Sequence, residues 1–260
     1  MKIERKKIPN GLIGMVHLKA LPGSPEYAGD LDATEAAALA DARTLVAGGV
    51  NAILIENFGD VPFSKNISVV TVGAMTRIVR AIVEASDVPV GVNALRNDAT
   101  AALSIAETCG ATFIRVKVHI GAMVTDQGLI EGTAAETLRL RNSLSSKVAI
   151  LADVGVKHAT PFDVNWTIEQ EAKDAWHRGL ADALIVSGSG TGLPTSIEDF
   201  KRVHYAVPDA PIILGSGVNE STSNDLLGLA SAWIVGTALK HDGDVNAAVD
   251  LNRVKAISKL

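Results

Sequence analysis

Hydrophobic positions along this chain follow two alternating rhythms. Short runs of β-branched and aliphatic residues give way to alanine-rich stretches whose apolar positions recur about every three or four residues, and the pair repeats along the chain. One phrase marks each switch from helix to strand: a glycine, one or two small or polar residues, then a run of β-formers. It occurs as Gly48-Gly49-Val50-Asn51-Ala52-Ile53-Leu54-Ile55 and as Gly110-Ala111-Thr112-Phe113-Ile114-Arg115-Val116. It returns as Gly179-Leu180-Ala181-Asp182-Ala183-Leu184-Ile185-Val186 and as Gly228-Leu229-Ala230-Ser231-Ala232-Trp233-Ile234-Val235. A glycine just past a helix adopts the left-handed conformation at little cost and closes the helix. Four more runs fit as strands between these, at 12–18, 88–93, 148–154 and 211–214. Amphipathic helices are predicted at about 34–47, 71–85, 98–109, 134–144, 167–178, 197–207, 220–227 and 245–258. Asn97 or Asp98, Ser196 and Asn219 stand at N-cap positions.

Eight strands alternating with eight helices, with no linker or low-complexity tract, predict a single (β/α)8 TIM barrel over residues 1–260. A doubly wound open sheet is the rival, but no Gly-x-Gly-x-x-Gly follows the first strand. Barrels of this kind place their active sites at the C-terminal ends of the strands and in the loops that follow. Two of those loops, 57–66 and 120–132, are long enough to act as lids.

The run 113–119 is the chemical anomaly. Side chains two apart on a strand share a face, so Arg115, Lys117 and His119 form one column. In a closed barrel that column points inward, where charge is costly unless paired or used. Strands 1 to 5 end in other ionisable and amide groups: His17, Glu56 with Asn57, Asn93, and Asp153 followed by Lys157 and His158. Ala149, Leu151 and Asp153 share a face, which puts Asp153 at the mouth end. Glu56 and Asp153 are expected to neutralise two of the strand-4 cations and so to shift one another's pKa values, as acid–base catalysis requires. Asp153 is the expected general base or its orienter, and Arg115 a structural ion-pair member, with Glu56 as one partner. Lys117 is open between substrate clamp, acid–base group and Schiff-base nucleophile. His119, nearest the opening, is expected to touch substrate. His17 and Lys157 are expected to orient it. His119 and His158 with Asp153 offer a divalent-metal alternative, although no His-x-His or His-Glu-x-x-His spacing supports it and no cofactor is expected.

The other half of the predicted mouth is glycine and hydroxyl. Strand 6 ends in Ser187-Gly188-Ser189-Gly190-Thr191-Gly192, strand 7 in Gly215-Ser216-Gly217, and strand 8 in Gly236-Thr237. Glycines let backbone N–H groups converge on an anion, and the loops after strands 7 and 8 are the usual phosphate site of this fold. Tight βα turns are the plainer explanation. The pattern in both expected loops favours phosphate.

Composition narrows the partners. Of 260 residues 47% are hydrophobic, and the net charge of -5 argues against nucleic acid as main partner. The single cysteine, Cys109, allows no internal disulfide and suits a reducing cytoplasm. The stretch 11–16 is too short for an export-signal core, and no stretch approaches the ~18 apolar residues of a transmembrane helix. A cytoplasmic protein acting on a small molecule is expected. A homo-oligomer is compatible with the sequence but not specified by it.

Several stretches resemble the BtpA/SgcQ family. They are Gly14-Met15-Val16-His17-Leu18 with Leu21-Pro22-Gly23-Ser24-Pro25, Glu56-Asn57-Phe58-Gly59-Asp60 with Pro62-Phe63, and Gly91-Val92-Asn93-Ala94-Leu95-Arg96-Asn97-Asp98. Further along come Phe113-Ile114-Arg115-Val116, Gly121-Ala122-Met123, Thr125-Asp126-Gln127-Gly128, Ala152-Asp153-Val154, Val156-Lys157-His158-Ala159 and Val235-Gly236-Thr237. Lys117 departs from the pattern, where Asn is the more usual residue. The resemblance implies a TIM barrel of phosphate-binding character, similar to the phosphoribosylanthranilate isomerase-like barrels, and adds Asp126 to the substrate-binding candidates. It implies no secure reaction. That isomerase's cysteine-and-aspartate pair has no counterpart here, since strand 1 offers His17 and no cysteine. Two functions follow as expectations. One is an isomerase, lyase or hydrolase of a small phosphorylated sugar or nucleoside-like compound. The other is a non-enzymatic biogenesis or stability factor for a membrane complex such as photosystem I, after the cyanobacterial factor that gives the family one of its names.

Overall fold

The computed structural model describes residues 4–188, 195–219, 222 and 224–260. In chain order its elements are β1 (Gly11–His17), α1 (Leu31–Gly48), β2 (Ala52–Glu56), α2 (Val69–Glu84), β3 (Val90–Asn93), α3 (Ala99–Cys109) and β4 (Phe113–Val116). Then come β5 (Ala122–Thr125), β6 (Gly128–Glu131), α4 (Ala134–Ser143), β7 (Ala149–Val154), β8 (Ala159–Pro161), α5 (Ile168–His177) and β9 (Ala183–Val186). The chain ends with α6 (Ile197–Ala206), β10 (Ile212–Leu214), α7 (Asn224–Leu229), β11 (Ala232–Val235) and α8 (Leu251–Ile257). Eight parallel strands close into a barrel in the order β1-β11-β10-β9-β7-β4-β3-β2, so each barrel strand pairs with the next one in the chain. This is the (β/α)8 architecture.

Strand alternation divides the core in two. Ile13, Met15, Leu54, Phe113, Leu151, Ile185 and Ile234 point into the barrel and form one buried cluster. Ile53, Ile55, Ile114, Val116, Ile150 and Leu184 point outward and pack on the helices in a second, larger one. Gly91 takes an inward position on β3 because a Cβ there would overlap the Phe113 ring.

The helix-to-strand joints are not all built alike. Gly49 and Gly110 close α1 and α3 in the left-handed conformation, at φ 93° and 83°. At the third joint the left-handed residue is Leu180, φ 53°. Gly179 is glycine for space: a Cβ there would lie 2.7 Å from Ile120 Cγ2 and 2.9 Å from the Ala175 carbonyl oxygen. At the fourth, Gly228 falls inside α7. Asp98 and Ser196 cap α3 and α6 through their side chains, whereas α7 begins at Asn224, so Asn219 is not its cap. The last expected helix is shorter than its pattern: residues 237–243 form two 3-10 turns, Lys240 bridges Val249, and only Leu251–Ile257 is α-helical.

The largest departure follows β4. The strand stops at Val116 instead of running to residue 119. The Asn97 side chain captures the backbone at Val118, accepting its N–H at 2.8 Å and donating to its carbonyl at 2.9 Å. The chain then turns into an antiparallel hairpin of β5 and β6, with β8 pairing β5 as a third strand. Met123 and Ile130 pack this sheet onto Val118 and Val156, the turns beyond β4 and β7. The long loop after β4 is therefore an anchored sheet. No described helix is long and apolar enough to cross a membrane.

Candidate active site

The register of the eight strands fixes one layer of residues at the mouth. Two positions beyond the inward residues Met15, Leu54, Gly91, Phe113, Leu151, Ile185, Ile213 and Ile234 stand His17, Glu56, Asn93, Arg115, Asp153, Ser187, Gly215 and Gly236. Six consecutive barrel strands, β9-β7-β4-β3-β2-β1, thus carry a polar or charged side chain there, and β10 and β11 carry glycine. Close contacts also demand those glycines: a Cβ on Gly236 would lie 2.7 Å from His17 Cε1, and one on Gly215 would overlap the Ser187 hydroxyl.

The charges form one network. Arg115 binds Asp153 with both arms, Nε to Oδ1 at 2.7 Å and Nη2 to Oδ2 at 2.8 Å, and Nη2 also donates to Ser187 Oγ at 3.2 Å. Lys117 Nζ donates to Asp153 Oδ2 at 3.4 Å. Glu56 accepts from the Asn93 amide on the next strand. The expected pairing of Arg115 with Glu56 is therefore replaced by Arg115 with Asp153, across the adjacent strands β4 and β7.

Above this layer lies a cavity of about 300 Å³. Its walls include His17, Glu56, Phe58, Arg96, Arg115, Lys117, Lys157 and His158 on one side. Gly215, Ser216, Gly217, Gly236 and Thr237 form the other. Burial sets the proton states. Burial pushes the Glu56 carboxyl up, but Lys117, His17 and Arg115 outweigh it and hold the group below the usual range. Asp153 behaves the same way, with Arg115 and then Lys117 prevailing over burial. Burial, with Arg115 beside it, holds the Lys117 amine below its ordinary value. Lys157 is held down to about 7, by burial first and then by Arg115 and Lys117. His17 is held at about 4 by burial, with Glu56 pulling the other way, so its imidazole is neutral at pH 7. Its ring lies 4.6 Å from that of Phe58.

The expected site residues thus part company. His17, Glu56, Arg115, Lys117, Lys157, His158, Gly215, Ser216, Gly217, Gly236 and Thr237 meet at one cavity. Asp153 lies behind the wall, its carboxylate fully buried and held by Arg115 and Lys117. His119 leaves the column once β4 ends. Its Nε2 bonds the Gly179 carbonyl at 2.7 Å, and burial holds it at about 4. Asn93 is buried against Glu56. Asn57 pins two loops together, accepting from Leu95 N at 2.7 Å and donating to Asp60 Oδ2 at 3.0 Å. Asp126 sits at the exposed turn of the β5–β6 hairpin, away from the cavity. The Gly188 N–H donates to Ser216 Oγ at 3.0 Å. Ser189 and Gly190 lie outside the described residues. The metal alternative is not assembled: His119 faces Gly179, and among the described residues no three His, Cys, Asp or Glu side chains are grouped to hold a metal ion.

Two wall residues escaped the sequence reading. Phe58 stacks on His17, and Arg96, almost fully buried, donates from Nη2 to the Lys157 carbonyl at 2.5 Å. Both fall inside the resemblance motifs, which was the available signal.

Known proteins share this fold. Among solved structures the fold is similar to phosphoribosyl anthranilate isomerase from Thermus thermophilus, with TM-score 0.56 and 14% identity over 96% of each chain. It is also similar to KGPDC from Streptococcus mutans, with TM-score 0.55 and 14% identity over 97% of each. Relatives by sequence are closer. The chain is 47% identical to the photosystem I biogenesis protein BtpA of Synechocystis over 95% of its own length and 86% of that protein's. It is 45% identical to an uncharacterized protein of Methanocaldococcus jannaschii, over 98% of this chain and 95% of that one. The family model described as the BtpA family matches residues 8–260, which takes in every strand of the barrel and every residue of the cavity, and the chain belongs to that family.

Proposed function

We propose that this protein is an enzyme that binds a small phosphorylated sugar or nucleoside-like compound in the mouth cavity and acts on it by proton transfer. The observation that carries this reading is a single cavity with two unlike walls: glycine turns after β10 and β11, and ionised groups after β2, β4 and β7. The phosphate lies on residues 215–217 and 236–237, the loops that bind phosphate in many barrels of this fold. Lys157, held at about 7, is the proton carrier, because a group near neutrality exchanges protons most effectively at working pH. Glu56 stays ionised beside it, neutral His17 orients the substrate, and Arg115 and Lys117 stabilise negative charge that develops in the reaction. Asp153 is a positioning residue that fixes both cations.

A thermal-shift screen with sugar phosphates tests the binding. A ligand at about 100 times its Kd adds about 2.7 kcal/mol of stability, and no shift with any phosphate compound overturns the reading. Once a substrate is found, Glu56→Gln and Lys157→Met are expected to lose turnover while the chain still binds phosphate.

A second reading, a role in assembling a membrane complex, is supported by the 47% identity to the photosystem I biogenesis protein. Expression in a cyanobacterium lacking its own relative tests it, with photosystem I content as the readout. Rescue by a Lys157→Met variant would separate that role from catalysis.

A further inference from the structure

The cavity holds more positive than negative charge. Three cations, Arg96, Arg115 and Lys117, line it together with Lys157, whose amine is held at about 7, and the carboxylates in or behind its wall are Glu56 and Asp153. Asp153 is gripped by Arg115 at 2.7 and 2.8 Å and approached by Lys117 at 3.4 Å. Glu56 accepts from Asn93. Neither Arg96 nor Lys157 has a carboxylate within ion-pair distance among the described residues. Among the described residues the Arg96 guanidinium donates to the neutral carbonyl of Lys157. Arg96 is only 7% exposed. Such a buried cation without a counter-ion is costly, and an anion that enters beside it removes the cost.

The position of this surplus matters. In the closed eight-strand order, β3 and β4 stand four strands from β10 and β11, across the barrel. Arg96 follows β3, Lys117 follows β4 and Lys157 follows β7. The glycine turns carry no counter-charge, and a phosphate seated on the β10 turn lies across the barrel from the β3 loop that bears Arg96, while β7 and Lys157 stand two strands from β10.

We propose that the substrate carries a second anionic group, a carboxylate, which binds Arg96, across the barrel from the phosphate cradle after β10, and Lys157, whose backbone carbonyl Arg96 holds. This rests on the phosphate reading above and narrows it to phosphorylated acids of a size that fits about 300 Å³. The carboxylate meets the fork of Arg96 and the ammonium of Lys157, a charge-assisted arrangement. It also recharges Lys157. Burial first, and then Arg115 and Lys117 from the β4 side, hold its proton off, while Asp153 and Glu56 favour it. An added anion tips that balance, and Lys157 enters the reaction as an acid.

Titration calorimetry near pH 8, in two buffers of different protonation enthalpy, tests this with inorganic phosphate, 2-phosphoglycolate and malonate. Phosphoglycolate is expected to bind about tenfold or more tighter than phosphate. It is also expected to take up close to one proton. Lys157→Met should lose both the tightening and the uptake and still bind phosphate, which shows that it is folded and separates Lys157 from Lys117. Lys157→Arg should keep the tightening without the uptake. Phosphoglycolate that binds no tighter than phosphate overturns the second-anion site and leaves the phosphate reading standing. Malonate bound with proton uptake by a chain indifferent to phosphate keeps the second-anion site and overturns the phosphate cradle. Binding of none of the three overturns both.

Discussion

Arg115 on β4 and Asp153 on β7 are joined by two parallel hydrogen bonds, of 2.7 and 2.8 Å, with both side chains buried. The pair fixes the guanidinium against the floor of the cavity and leaves the carboxylate with no face toward it. Removing one member of a buried ion pair strands the other, at a cost of about 3–5 kcal/mol. Asp153→Ala is therefore expected to lower stability by about that amount in urea denaturation, because it strands Arg115 and Lys117 together. An Asp153→Asn variant that unfolds at the wild-type urea concentration yet has lost turnover would return Asp153 to the role of proton carrier.

Lys157 is expected to label at a lower pH than an exposed lysine of the chain. With its amine held at about 7, roughly half is unprotonated at neutral pH, whereas an ordinary lysine near 10.5 is almost wholly protonated. Limited acylation followed by peptide mass spectrometry should show Lys157 modified first, with a half-maximal rate near pH 7. Exposed Lys19 serves as the internal comparison. Lys157 labelling with the pH profile of Lys19 would refute the electrostatic assignment.

How much of this was legible in the sequence depends on the reach of each signal. The joints at Gly49 and Gly110 were readable because a left-handed helix end is a local requirement. Parity along 149–153 correctly aimed Asp153 into the barrel. Parity along 113–119 failed at His119 because Asn97, far away in sequence, captures Val118 and ends the strand. The pairing of Asp153 with strand 4 was readable from the strand order, but its capture by Arg115 and Lys117 together was not, because that depends on the distance between two strands, which no pattern within either one encodes. The β5–β6 hairpin has no such pattern: Met123 and Ile130 are buried and their neighbours Val124 and Leu129 exposed, yet all four are apolar, so the sequence shows no alternation there.

Glu171 on α5 gives a pH dependence of known sign. Burial raises its carboxyl to about 7, against the pull of the Gly155 N–H that it accepts at 3.2 Å, and Asp153 pushes it higher. The folded value lies above the ordinary 4.5. The native state therefore holds the proton more tightly than the unfolded chain. The stabilisation is fully present below about 4.5 and is lost as the pH rises through about 7. Glu171→Gln keeps the acceptor for Gly155 and does not titrate. Between pH 5 and 8 its stability relative to wild type is expected to rise by about 2–3 kcal/mol. Parallel stability profiles for the two chains would contradict this.

The same sequence phrase should give opposite results at two of its glycines. At Gly179 a methyl group would meet Ile120 Cγ2 at 2.7 Å, the Ala175 carbonyl oxygen at 2.9 Å and the His119 ring at 3.0 Å. One of these is backbone, so the joint must shift, and overpacking of this kind costs about 1–3 kcal/mol. The shift also disturbs the Gly179 carbonyl that holds His119 Nε2 at 2.7 Å, so the His119 ring resonances should move with it in NMR spectra. At Gly228, next to the end of α7, no atom of the described residues beyond the helix's own backbone lies within 4 Å of the added methyl. Alanine is the better helix former, so the change is accommodated there. Gly179→Ala is therefore expected to lower the unfolding midpoint and Gly228→Ala to hold or raise it. If both variants fall together, the glycine at the fourth joint is needed for a contact that the helix does not show.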